Sequence, residues 1–589
     1  MLDLRPSPAH VTRAAAAKLP RLVLLALLVL FIFPGLLDRG IWTVREGAAV
    51  GEMVEMARGD YVSWLFPMAS GLVVADHGPL SLWVGAFFVR LFDGLLSPVT
   101  AARLTATLWF AVTTGSIWYG TWYLARRGEA QPSASIFMGS ATYRDYGRLV
   151  ADAATLFFIA LFGLVLRVHE PNYECAELAF CALAYFACAW SFTRPYFGAA
   201  LAGVAVAGLM LSSSLLVGVT VLIATLLTFL LLPARGQADK KFAITIAAAL
   251  VLFVVWPLAA WILASEVISD YFLLWAQAQA GFFGLMSWGG IRWFLEHVAW
   301  YLCPVWPFAV LGLVKWRRQK YAPFMALPVI FLAAWFVGFL ASGDLKAEDL
   351  LNVTLAPLCT LAAFGLISAS RSWKSMLDGF ALTVTTLGAA ALWVYWLAWL
   401  TGMPPKMAHS IEMLAPGAGA LEAGATGVVM ALLVTAFWGW TAYKRVRSRS
   451  FKLWNGPWLS AAGLTVLWIL TVSLFTPVID GNRSYEPVAQ AVRRDLDRLG
   501  FESDDCLKVI GASEGIASMI SYYGRMTVTA GSSMVCRYEL VRFDAQDERF
   551  SQTDPSHVIK RPRTAERFLV RRFRPGQRRF LETVPMMNL

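Results

Sequence analysis

KFAITIAAALVLFVVWPLAAWIL, residues 241–263, decides the fold class. After Lys241 the stretch runs 22 residues without a charged side chain; wound as an α-helix it would reach about 33 Å, the thickness of a bilayer's hydrocarbon core. Lipid offers the backbone no water, so an open-ended span has to be a helix that pairs its own amides. Arg235, Lys240 and Lys241 stand at its start, where charge sets orientation. The same pattern recurs on both sides, at about 20–38, 99–124, 150–167, 175–192, 196–211, 213–233, 297–315, 322–341, 349–369, 376–401, 424–443 and 455–476. Composition agrees: 58% of the 589 residues are hydrophobic and 15% charged, more apolar surface than a soluble domain can bury. The sequence predicts an all-α polytopic membrane protein with roughly thirteen transmembrane helices.

The net charge of +11 falls in short clusters between apolar runs, as topogenic charge does, and gives no footing for a nucleic-acid partner. Arg5, Arg13, Lys18 and Arg21 precede the first span and put the N-terminus in the cytoplasm. The clusters at Arg126/Arg127 with Arg144/Arg148, Arg235 with Lys240/Lys241, Lys315 to Lys320, Arg371/Lys374 and Lys444 to Lys452 fall on the same side. Residues 79–96 are apolar but short and contain Arg90 and Asp93. A crossing there would invert everything that follows, so they are read as an interfacial helix, and 39–98 becomes one long external loop. Lipid-like runs stop near 478, and alternating stretches at Cys506 to Gly511 and Met526 to Ala530 read as strands. The chain thus divides into a transmembrane unit, 1–477, and a small external α/β domain, 478–589. In a bacterium this is an inner-membrane protein with a periplasmic tail. Cys506 and Cys536 both lie in that tail, where an oxidising compartment permits a disulfide that spacing does not decide. Cys175, Cys181, Cys188, Cys303 and Cys359 sit in or beside spans without CxxC spacing and read as small hydrophobes.

Residues capable of chemistry collect at three external points. In the first loop, Glu46 opens a helix that runs to Arg58 and stops at Gly59. Beside Arg45 and the membrane surface it suits a general base or metal ligand; as a first-turn acid it equally complements the helix dipole. Glu52 and Glu55 read as the polar face of that helix. The second point, where the third span emerges, gathers Arg167, His169, Glu170, Glu174 and Glu177, ionisable groups that are costly at a membrane edge without a task. The third is Asp344, Lys346 and Asp349, where Lys346 suits a phosphate. Aromatic and amide side chains between 264 and 296, among them Tyr271, Trp275 and Gln279, fit a sugar or an interfacial belt.

These stretches resemble the GT-C glycosyltransferases, in the protein O-mannosyltransferase and lipid A aminoarabinose transferase branch. The family's first-loop acidic pair is matched by Arg45-Glu46, its Gly-Asp-aromatic element by Gly59, Asp60 and Tyr61, and its Pro-Pro-Leu element by His77, Gly78, Pro79 and Leu80 with Trp83. Arg103, the Arg167/His169/Glu174 group, the 300–307 stretch, Lys346 and the tail motif Tyr522 to Arg525 extend the likeness over the chain. Three positions depart from the family pattern: Arg45 replaces an Asp, Gly78 a Pro and Glu174 an Asp.

The resemblance implies transfer of a sugar from a polyprenyl (undecaprenyl) phosphate donor, with inversion, to a periplasmic-side acceptor such as lipid A or another lipid or envelope glycan. It implies Glu46 and Glu174 as catalytic carboxylates, Arg103, Lys346 and His77 as contacts to the donor phosphate, and Asp60, Tyr61, Arg167 and His169 as substrate-binding residues. A divalent cation, if one is used, would fall to Glu46, His169 and Glu174. The alternative is a flippase for lipid-linked sugars. That reading calls for inverted repeats and mid-membrane polar groups, whereas here the charges collect at one face.

Overall fold

The computed structural model describes residues 7–9, 11, 19–37, 39–133, 141–232, 237–343, 349–420, 422, 424–448, 452–531, 535–547 and 558–573. Every apolar stretch expected to span contains helix. Seven of these helices among the described residues are long and apolar enough to cross a membrane: Pro195–Ser212, Ala238–Leu263, Pro323–Leu340, Asp349–Ser368, Arg371–Thr401, Gly424–Arg447 and Asn455–Arg483. Two bent pairs, Tyr143–Ile159 with Phe162–His169 and Trp288–Tyr301 with Val305–Lys315, bring the total to nine if each is one span.

The expectation of roughly thirteen spans is therefore met in part, and the shortfall has a physical reason. Arg21–Ile32 and Leu215–Leu231 are short, at 12 and 17 residues. The Pro98–Ala125 helix is long, but it buries Thr105, Thr113, Thr114, Ser116 and Thr121 against its neighbours, so its composition is set by protein packing rather than by lipid. Burial sorts the helices. Asn352–Ser368 is central and buried along nearly all its length, whereas Ala238–Leu263 turns Leu250, Val251, Val255, Trp261 and Ile262 outward, as a lipid-facing helix does.

The segment 39–98 is compactly folded. Thr43 caps the Val44–Arg58 helix, Asp60 caps Tyr61–Leu65, a small hairpin pairs Met68–Ala69 with Leu72–Val73, and Leu80–Leu91 follows. At the other end of the chain, Asn455–Arg483 runs past residue 478 before the tail fold begins. That fold holds the helices Glu486–Arg498 and Glu514–Gly524 and a five-stranded mixed sheet. In the sheet, Cys506–Ile510 lies parallel to both Thr527–Thr529 and Tyr538–Asp544. Glu566–Arg572 then pairs antiparallel with Tyr538–Asp544, and Val558–Lys560 closes the edge. Cys506 and Cys536 are joined in a disulfide.

Loop and tail share one hydrophobic core. Val50, Met53, Leu82 and Ala86 from the loop pack with Val492, Leu507, Ile516, Tyr538 and Phe568 from the tail. The helices Val44–Arg58 and Glu514–Gly524 cross closely because glycines line the seam. A Cβ on Gly51 would lie 2.2 Å from Ser518 Oγ, and one on Gly515 would lie 2.2 Å from the Val44 carbonyl oxygen.

Candidate functional site

The sequence Thr43-Val44-Arg45-Glu46 starts a helix as a capping box does: the Thr43 hydroxyl accepts the Glu46 amide at 3.1 Å. Glu46 itself is fully buried. Its Oε2 accepts from the Trp42 amide at 3.1 Å and from Arg39 at 2.9 Å, and its Oε1 accepts from Arg103 Nε at 2.7 Å. Burial opposes its charge, yet the two guanidinium groups outweigh burial and hold the Glu46 carboxyl below its ordinary range. Arg103 spends its remaining nitrogens on the carbonyls of Arg39 and Gly40, both at 2.8 Å. Glu46 and Arg103 thus form a closed clamp on the chain from 39 to 46, with Arg39 as its third member. No residue of the clamp stood out in the sequence as buried.

Beside the clamp lies a more open cluster. Asn172 caps the Tyr173–Ser191 helix by accepting the Glu174 amide, which places Glu174 in the first turn as Glu46 is placed in its own. Arg45 bonds Glu174 and also reaches Asp349 at 3.4 Å, while Arg167 meets the other Glu174 oxygen at 3.3 Å. Glu177, one turn further, is bonded by Ser213 and by Asn352.

Across from these, His77 stands between Asp76 at 2.7 Å and Glu52 at 3.2 Å and stacks on Tyr173 with ring centroids 5.0 Å apart. Burial works against an imidazolium here, but Asp76 and Glu52 raise the His77 pKa well above the ordinary imidazole value. The Asp76 side chain is 59% exposed, so water screens part of its share, whereas Glu52 is 2% exposed. The adjoining Gly78 tolerates no side chain: a Cβ there would lie 2.3 Å from the Leu211 carbonyl oxygen. That contact accounts for glycine where the family carries proline.

The structure therefore brings together Arg45, His77, Arg167, Glu174 and Asp349 from three separate segments. Glu52, Asp76 and Tyr173 were absent from the residues expected to act. Their signal was weak, because Glu52 looked like the exposed face of a helix that proves to be covered by the tail.

Other expected residues are placed elsewhere. Asp60 is a helix cap accepting the amides of Val62 and Ser63, and Tyr61 is exposed. His169 is buried with its ring nitrogens against the carbonyls of Val165 and Phe31, away from any open surface. Lys346 lies outside the described residues.

The cation site expected on Glu46, His169 and Glu174 is corrected: these side chains do not form a ligand set. Both Glu46 oxygens are held by guanidinium groups and the His169 nitrogens by carbonyls, and among the described residues no group of three His, Cys, Asp or Glu side chains has metal-site geometry.

Glu170, next to this group, is a perturbed acid. It is 4% exposed, its Oε2 accepts from the Thr43 hydroxyl at 2.9 Å, and its Oε1 has no hydrogen-bond partner among the described residues. Burial, reinforced by the charge of Glu46, pushes its pKa up to about 7.

No family model matches the chain, and no curated protein matches it by sequence. Among solved structures it is similar to ArnT from Cupriavidus metallidurans bound to undecaprenyl phosphate, with a TM-score of 0.64 at 16% identity, covering 93% of this chain and 97% of that one. The apo state of the same protein gives a TM-score of 0.62 over 93% and 96%. The archaeal oligosaccharyltransferase AglB from Archaeoglobus fulgidus reaches 0.43 at 10% identity over 89% of this chain and 69% of its own, too little to argue from. Over nearly its whole length the chain therefore shares the fold of ArnT.

Proposed function

We propose that the protein is a membrane glycosyltransferase that takes a sugar from a polyprenyl-phosphate carrier and transfers it, with inversion, to an acceptor at the external face of the bacterial inner membrane, such as lipid A or another envelope glycan. The observation that carries this reading is the convergence of Arg45, Arg167 and His77 with Glu174 and Asp349 at one end of a GT-C fold.

Transfer breaks the bond between the anomeric carbon and the carrier phosphate oxygen, and forms a bond from that carbon to the acceptor oxygen. The bonding pair leaves with polyprenyl phosphate. Cationic groups at the leaving oxygen lower the barrier by meeting charge as it develops. Arg45 and Arg167 are 28% and 16% exposed at the cluster, and Asp76 and Glu52 favour the protonated form of His77 against the effect of burial, so these three are assigned to the phosphate, together with Lys346.

Glu174 is the carboxylate assigned to the acceptor: it takes the proton of a hydroxyl, or orients an acceptor that is already a phosphate anion. The arginines on Glu46 are sealed at 1% exposure, whereas those on Glu174 open to the cluster, so Glu46 acts with Arg39 and Arg103 as a positioning residue for the adjoining Arg45. The phosphate contact expected of Arg103 passes to Arg45 and Arg167 for the same reason.

The test is transfer of radiolabelled sugar from a panel of polyprenyl-phosphate sugars into membrane acceptors by the purified protein. Wild type transfers label, and Glu174→Gln and His77→Gln lower the rate on the order of 100-fold at matched folded protein. Carrier-bound sugar that crosses the bilayer unconsumed, with both variants as fast as wild type, overturns the transferase and supports a flippase.

A further inference from the structure

The tail holds an arginine-lined cavity that the transfer chemistry leaves unused. It measures about 470 Å³ and lies between the helices Glu486–Arg498 and Glu514–Gly524, lined by Gln490, Arg493, Arg494, Tyr523, Gly524 and Arg525. That volume is within the range of small-molecule sites.

The three guanidinium groups are not equivalent. Arg493 is neutralised by Asp497 at 3.0 Å and lies over the Phe501 ring. Arg494 and Arg525 are exposed and have no acidic partner among the described residues, so two positive charges face the cavity uncompensated. Neighbouring acids are already committed, Asp495 to Arg498 and Glu486 to the Gln490 amide.

Arg525 also stands where glycine is the ordinary choice. It ends the Glu514–Gly524 helix in the left-handed region, with φ 49° and ψ 50°, a conformation that disfavours a side chain. The preceding residue is a glycine, yet the left-handed turn falls on the arginine, whose side chain lines the cavity.

The cavity is also tied to the transfer site. The Ile41 amide donates to the Tyr523 hydroxyl at 2.7 Å, and Ile41 adjoins Gly40, whose carbonyl Arg103 holds.

We infer that this cavity binds a phosphate-bearing glycan, and, resting on the function proposed above, that it docks the acceptor. Planar guanidinium groups bind phosphate oxygens in pairs, while the Gln490 carbonyl oxygen, whose amide nitrogen is held by Glu486, is the acceptor for a sugar hydroxyl. Arg494 and Arg525 select the phosphate, and Tyr523, bonded by the Ile41 amide, ties the cavity to the chain segment that holds the transfer residues.

The experiment is titration of the full chain in detergent micelles with trehalose 6-phosphate, with trehalose as the neutral control and inorganic pyrophosphate as competitor. Wild type binds the phosphorylated sugar more tightly than trehalose, increasingly so at low salt. Pyrophosphate displaces it, and Arg494→Gln and Arg525→Gln each weaken it about tenfold or more. Arg525→Lys, which keeps charge and loses the fork, falls between.

Binding that is unchanged in both Gln variants, or no preference for the phosphorylated sugar, overturns the site. The transfer assay separates the two claims. A protein that transfers sugar but shows no phosphate preference here keeps its function and loses this site, and one that binds but transfers nothing keeps the site and loses its docking role.

Discussion

Two buried glutamates, Glu46 and Glu170, lie close to each other and differ because of what surrounds them. Glu46 is met by two arginines and stays ionised; removing one partner of such a buried pair typically costs about 3–5 kcal/mol, since the other charge is left stranded. Glu170 has only the Thr43 hydroxyl and a nearby like charge, so its proton is held more tightly.

The sign of its effect on stability follows. With a folded pKa near 7 above the ordinary 4.5, Glu170 carries its proton in both states at low pH, and its contribution is lost as pH rises through 7. Glu170→Gln, a permanent mimic of the protonated form, therefore raises the midpoint of thermal unfolding at pH 8 and leaves it nearly unchanged at pH 4. Equal shifts at both values would show that the carboxyl titrates normally.

Among elements, the seam between Val44–Arg58 and Glu514–Gly524 decides whether the transfer residues are held. Gly47, Gly51 and Gly515 let the two backbones approach, and a methyl on Gly515 meets the Val44 carbonyl rather than a side chain that can move aside. Gly515→Ala thus loosens the tail from the first loop at a cost of about 1–3 kcal/mol. Limited proteolysis checks this: cleavage between the tail and the membrane helices speeds up, and transfer falls with it although no reacting residue has changed. A variant as protease-resistant as wild type would mean that the seam has room to open.

The hairpin Met68–Val73 adds a second tie, since the Ala530 amide donates to the Ser70 carbonyl at 2.8 Å. The helix starts at Thr43, Asp60 and Asn172 all come from capping residues that the sequence displays openly.

For the molecule as a whole, the 39–98 segment and the tail behave as one body, because they share a core. Its tail half is closed by the Cys506–Cys536 disulfide across 30 residues. A loop of that length restricts the unfolded chain by roughly 3–4 kcal/mol in the entropy model. Replacing both cysteines with serine is expected to lower the unfolding temperature of the protein by several degrees in differential scanning fluorimetry. The same loss should appear when wild type is reduced, and a reduced protein as stable as the oxidised one would assign the tail's stability to its core alone.

The sequence by itself determined the class and the order of parts. Apolar runs of bilayer length, basic clusters between them, the helix that runs to Arg58 and stops at Gly59, and the strands near 506 and 526 were all legible, because each depends on local periodicity or a cap. So was the GT-C resemblance, which spaced motifs carry and the fold bears out.

The tertiary structure alone decided which charges are spent and which are offered. Glu46, Arg103 and His169 read as exposed chemistry, but segments 64, 57 and 138 residues apart in the chain close over them. Arg45, Glu174 and Asp349 meet only because three separate segments converge. Charge pairing over such separations leaves no periodic trace in a sequence, since it depends on burial and on the direction of each side chain, and both are set by packing.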